Sequence, residues 1–119
     1  MPTGDASGTE PSTILNSNED LLVVVNTYEV EPDLANQLIE VLTLATRDVL
    51  RHVPGFVSAN LHLSADGSKV INYAQWRSRD ALLAARDFPE VAERIRTAGQ
   101  LATRFEPVQY TLRVIIAAG

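Results

Sequence analysis

A chain of 119 residues with 45% hydrophobic content is sized for one globular domain able to close a core. Its formal net charge of -5 and pI near 4.9 leave no basic stripe to neutralise phosphates, which argues against nucleic acid as a partner. Cysteine is absent and the two histidines, His52 and His62, fall in different predicted elements, so neither thiolate chemistry nor a protein-bound metal is expected.

Residues 1–20 are rich in Ser, Thr, Gly, Asn, Pro and acids, with only Ile14-Leu15 to bury. They are expected to form a flexible N-terminal arm preceding a single domain over residues 21–119. The arm lacks the basic region and continuous apolar core of a signal peptide, and no run approaches the about 18 apolar residues of a membrane span; a cytoplasmic protein with no membrane partner is expected.

Leu21 to Val30 reads as a central strand. Leu21, Val23, Val25 and Thr27 share one face, and Leu22, Val24, Asn26 and Tyr28 the other, both largely apolar. Pro32 suits the first turn of a helix. Leu34, Leu38, Val41, Leu42, Ala45 and Val49 then recur at helical spacing until Val53-Pro54-Gly55 ends the run. Phe56 to Ser64 is a second strand, with Val57, Ala59, Leu61 and Leu63 on an apolar face and Phe56, Ser58, Asn60 and His62 on a mixed one. Asp66-Gly67 predicts a hairpin into a third strand, Lys69 to Trp76.

In that third strand Asn72, Ala74 and Trp76 point one way and Ile71, Tyr73 and Gln75 the other. Taken alone, the amide reads as a satisfied polar group within a sheet and the indole as a core filler. Ser78 is placed to cap a helix whose first turn holds Asp80 and whose narrow apolar stripe is Ala81, Leu82, Ala84 and Ala85. Phe88-Pro89 breaks it, and a second piece from Glu90 to about Thr103 carries Val91, Ile95, Ala98, Leu101 and Ala102. Glu106-Pro107 punctuates before a last strand from Val108 to Ile116. The order βαββαβ predicts an α+β fold, the ferredoxin-like plait, an antiparallel sheet with helices on one side. The uncovered face would show Phe56, Ile71, Tyr73 and Ile115 among polar groups, and burying it against a second copy predicts a two-fold homodimer.

Pro54-Gly55-Phe56, Asp66-Gly67 and the run Asn72-Tyr73-Ala74-Gln75-Trp76 followed by Arg77-Ser78 resemble the antibiotic biosynthesis monooxygenase family of dimeric α+β barrels, across roughly Leu21 to Ile116. The resemblance is nearest to members that oxidise polycyclic aromatic polyketides of the anthrone or hydroquinone type to quinones. It implies a pocket between helices and sheet, with Asn72, Trp76 and Arg96 as the catalytic set. Leu61, Leu82, Ala74 and Arg94 are implied as substrate-binding, Arg94 replacing Arg96 if the alignment slips by one residue near Phe88-Pro89. Two pocket tyrosines of such relatives fall at Leu61 and Leu82, so this pocket is expected to be more apolar.

Such chemistry needs neither metal nor flavin, only molecular oxygen as co-substrate. Trp76 would lie against the rings, Asn72 would donate to a developing oxyanion and the arginine would supply positive charge. A haem-degrading branch of the superfamily is similar at Asn26, but it needs a Trp and an iron-ligating His where this chain has Ala85 and Ile95. Asn26 is therefore read as a structural amide, and His62 as an interior or edge residue of the dimer. The competing readings are a non-catalytic dimer that binds a small molecule or serves in assembly, and an isomerase or cyclase on the same fold. A cavity on the order of 300 Å³ or more beside Asn72 and Trp76 would favour a ligand pocket.

Overall fold

The computed structural model describes residues 11–16 and 19–119. Four strands, β1 (Leu22–Glu29), β2 (Phe56–Leu63), β3 (Lys69–Trp76) and β4 (Arg104–Thr111), form an antiparallel sheet in the order β2-β3-β1-β4. Helices α1 (Ala35–Asp48), α2 (Arg79–Arg86) and α3 (Pro89–Leu101) connect them, giving the expected plait. The strand that is apolar on both faces, β1, is central, between β3 and β4.

The local chemistry follows the sequence closely at most joints. Pro32 opens a single 3-10 turn, Pro32–Leu34, before α1 rather than α1 itself. Helix α1 then buries Ala35, Leu38, Leu42 and Ala45 on one stripe, as a 3.6-residue period requires. The Ser78 hydroxyl accepts from the Ala81 N–H at 3.0 Å and caps α2. Pro89 sits in the first turn of α3, where its missing N–H costs nothing. In the hairpin between β2 and β3, one Asp66 oxygen accepts from the Ser64 and Ser68 hydroxyls and the Ser68 N–H. These bonds lower its carboxyl to about 2.

Two expectations fail for identifiable reasons. The last strand is Arg104–Thr111, not Val108 to Ile116, and Pro107 lies inside it opposite Asn26. Strand β4 is an edge strand, and proline is tolerated at a sheet edge, where its lack of an N–H can face outward. Residues past Thr111 form no strand, and Val114, Ile115 and Ile116 are exposed. The second failure is Phe56. A bulge between Phe56 and Ser58 makes Phe56 pair with Trp76 while Ser58 pairs with Gln75. The extra residue switches parity, so Phe56 turns to the helix side instead of the mixed face.

The helix side of the sheet holds two core clusters. One gathers Val24, Ala74, Trp76, Leu82, Ala85 and Val91; the other gathers Tyr28, Leu38, Leu42, Val70 and Ala98. The opposite face buries Val23 beside the polar Ser58 and Gln75. Ser58 donates to Gln75 at 2.9 Å, and Gln75 donates to the Ile14 carbonyl at 3.4 Å. Thr13 donates to Asn60 at 2.8 Å, so this part of the arm lies against the outer face of β2 and β3. The expected flexibility of residues 1–10, 17 and 18 concerns positions outside the described residues.

Candidate functional site

A cavity of about 360 Å³ lies between the sheet and the three helices. Its floor follows from strand register. Pairing of β1 with β3 sets Leu22 beside Trp76, Val24 beside Ala74, Asn26 beside Asn72 and Tyr28 beside Val70, each row on the helix side. Successive rows are about 7 Å apart. Thus Trp76 stands at one end of the floor, the two asparagines are abreast two rows on, and Tyr28 follows. Strand β4 adds Pro107 next to Asn26 and Phe105 next to Tyr28.

The roof is mostly apolar: Leu42, Ala45, Leu82, Ala85 and Val91 face the space, with Thr46, Arg86 and Arg94 also in the lining. Trp76, only 4% exposed, is fixed edge-on by Phe56 with ring centroids 5.5 Å apart. The bulge in β2 makes this contact. Exposed lining residues Arg86, Ile95 and Phe105 mark a mouth between the α2–α3 layer and the edge strand.

The polar groups that the strands bring to this cavity are Asn26, Tyr28 and Asn72, while Thr46 in the lining donates to the Leu42 carbonyl. The Asn72 side-chain oxygen is buried without a hydrogen-bond partner, a state that costs about 1–3 kcal/mol unless a guest supplies a donor. Tyr28 is buried, its ring tilted against Phe105 at 4.8 Å, and desolvation pushes its phenol up to about 12. It is therefore a neutral hydrogen-bond donor at ordinary pH. Arg94, in the lining, reaches Asp48 at 3.8 Å.

Of the residues expected at a site, Asn72, Trp76, Ala74, Leu82 and Arg94 line one cavity. Arg96 and Leu61 do not. Arg96 is exposed: taking Val91 as the centre of the buried stripe of α3, Arg94 lies about 60° from it and Arg96 roughly 140°. Leu61 pairs with Asn72 but packs against the cluster around Leu38 and Val70. Asn26, read from the sequence as a structural amide, is in the lining, and so is Tyr28, which the sequence reading did not single out. The signal for both was present in the alternation of β1, which puts them on one face with Val24. His62 is exposed, its Nδ1 3.3 Å from the Asn60 carbonyl. Among the described residues no group of three or more His, Asp or Glu converges as a metal site, and no helix is long and apolar enough to cross a membrane.

The model of the family described as antibiotic biosynthesis monooxygenase matches residues 21–96, which span β1 through most of α3 and so most of the cavity. The chain belongs to the antibiotic biosynthesis monooxygenase family. Within this family it is 48% identical over 64 residues to the tetracenomycin-F1 monooxygenase of Streptomyces glaucescens, an alignment covering 54% of this chain and 57% of that protein. The chain thus matches little more than half the length of that relative. A monooxygenase from the gene ActVA-Orf6 of Streptomyces coelicolor, solved in complex with nanaomycin D, superposes with a TM-score of 0.75 at 34% identity. The match covers 82% of this chain and 92% of that one. SnoaB, a cofactor-independent oxygenase from Streptomyces nogalater, superposes with a TM-score of 0.72 at 22% identity over 83% of this chain and 99% of its own, a likeness of fold.

Proposed function

We propose that this chain is a cofactor-independent monooxygenase that oxidises a fused-ring aromatic phenol, of the anthrone or hydroquinone type, to a quinone with molecular oxygen. One observation carries the reading: Asn72 and Trp76 border the same cavity under the helices, and at about 360 Å³ it is large enough for a drug-sized planar guest. Membership of a monooxygenase family, with a 34% identical monooxygenase among the solved structures, supports it.

The chemistry is balanced without a cofactor. A substrate of the anthrone type, with an unoxygenated ring carbon to oxidise, loses a ring CH proton to give an electron-rich anion, which passes one electron to dioxygen. The resulting radical and superoxide combine to form a C–O bond, and the hydroperoxide takes up a proton and loses water to leave the carbonyl. One oxygen atom ends in the quinone and the other in water. The protein's part is to bind the flat rings beside Trp76, hold the developing oxyanion at the Asn72 amide and exclude bulk water. Arg94 adds positive charge near the mouth. Asn72 cannot act as a base, and a phenol held near 12 is no base either, so the proton leaves to a substrate phenolate or to water. The active species in this reading is a homodimer paired through the outer sheet faces.

Oxygen uptake with a model anthrone tests the proposal. Asn72→Ala is expected to reduce uptake about a hundredfold or more, the range for removing one oxyanion donor, and Trp76→Phe to reduce it through poorer seating of the rings. Unchanged rates in both variants would remove these residues from the reaction. Tight binding of the anthrone with no uptake by the native chain would favour a small-molecule-binding protein instead.

A further inference from the structure

We infer that Tyr28, together with Asn26, is a substrate-binding element that reads the oxygen substituents of the aromatic guest. The inference rests on the aromatic-pocket reading and extends it to a polar strip on β1. The resemblance offers no phenol here, since the positions of the relatives' pocket tyrosines hold Leu61, which is outside the cavity, and Leu82, which is apolar. Tyr28 brings a phenol into the same space from a different element.

The geometry is specific. Tyr28 and Asn26 are two residues apart on β1, so both face the cavity, and Asn26 is the direct register partner of Asn72. The Tyr28 ring is fixed by Phe105, and neither the Tyr28 hydroxyl nor the Asn26 amide has a hydrogen-bond partner among the described residues. Adjacent to them is the buried, unpartnered oxygen of Asn72. The strip therefore offers a neutral O–H donor at Tyr28, a donor and an acceptor at Asn26, and an acceptor at Asn72 that needs a donor. The floor towards Trp76 is carbon, and the roof above is mostly carbon, with Thr46, Arg86 and Arg94 as its polar members. A guest that satisfies this arrangement carries a hydroxyl and a carbonyl on one edge of its ring system, with its bare rings extending to Trp76. Its hydroxyl donates to Asn72 and its carbonyl accepts from Tyr28. A ring system with no hydroxyl leaves the Asn72 oxygen buried and unmet.

Trp76 is the only tryptophan, so its fluorescence reports occupancy directly. Quenching would be titrated with two probes, a dihydroxyanthraquinone whose hydroxyls flank a carbonyl, and anthraquinone without hydroxyls. The native chain is expected to prefer the hydroxylated probe by about tenfold or more, and Tyr28→Phe, which keeps the ring against Phe105, to weaken it about three- to tenfold while leaving the bare probe unchanged. Asn26→Val provides a second reading of the same preference if Tyr28→Phe lowers thermal stability. Equal affinity of the native chain for both probes, or an undiminished preference in both variants, would overturn the inference while leaving the aromatic pocket standing. Failure of the native chain to bind either probe would remove the pocket reading, and this inference with it.

Discussion

Burying a phenol makes its ionisation expensive, and Tyr28 shows the consequence: its pKa rises from 10.0 to about 12 through desolvation. Its folded-state value is above the unfolded one, so its contribution to stability is fully present below pH 10 and is lost as the pH climbs towards 12. Urea midpoints measured across that window should fall faster for the native chain than for Tyr28→Phe; parallel declines would show that the phenol is freely solvated. Single residues were unevenly legible in the sequence. Strand alternation alone put Asn72, Ala74 and Trp76 on one face, and the same rule put Asn26 and Tyr28 beside Val24, although their shared cavity was not evident. Helical spacing from Val91 separates Arg94 from Arg96. Phe56 was misjudged because a bulge changes parity without a distinctive residue to announce it.

Helix α2 is joined to the start of β2 by an unusually close approach. Gly55 has φ of +87°, and a Cβ there would run into the Ala81 side chain on α2, while the Gly55 carbonyl accepts from the Arg77 N–H at 2.8 Å. Gly55→Ala should therefore cost about 1–3 kcal/mol and loosen the roof around Leu82, whereas Gly67→Ala, with φ of +76° but only Pro32 at 3.5 Å, should cost less. Thermal midpoints of the two variants check the order; an equal loss would show that backbone conformation alone sets the cost. Most elements were legible because their punctuation is local: Ser78 caps, Phe88-Pro89 breaks and Asp66-Gly67 turns. Strand β4 was not, because Glu106-Pro107 looks like an interruption until the strand is known to lie at an edge with one neighbour.

On the β4 side the outer sheet face presents apolar side chains to solvent. Val108 and Tyr110, register partners of Val25 and Val23, stand there 37% and 50% exposed, while the arm covers the β2–β3 side through Thr13 and Ile14. If two copies meet on this face, sedimentation should give twice the chain mass at micromolar concentration, and Val108→Asp with Tyr110→Asp should give the single-chain mass by forcing charges into an apolar contact. A native chain sedimenting as one copy would refute the pairing.

The amino-acid order by itself determined the βαββαβ succession, the side of β3 that carries its amide and indole, and the family, because propensity, capping and alternation act over a few residues. Only the tertiary structure decided which side chains share the cavity. That depends on how strands align, where a bulge shifts the register and which turn of α3 faces the sheet, all set by long-range packing. The same packing left the Asn72 oxygen without a partner and brought Tyr28 within the same walls.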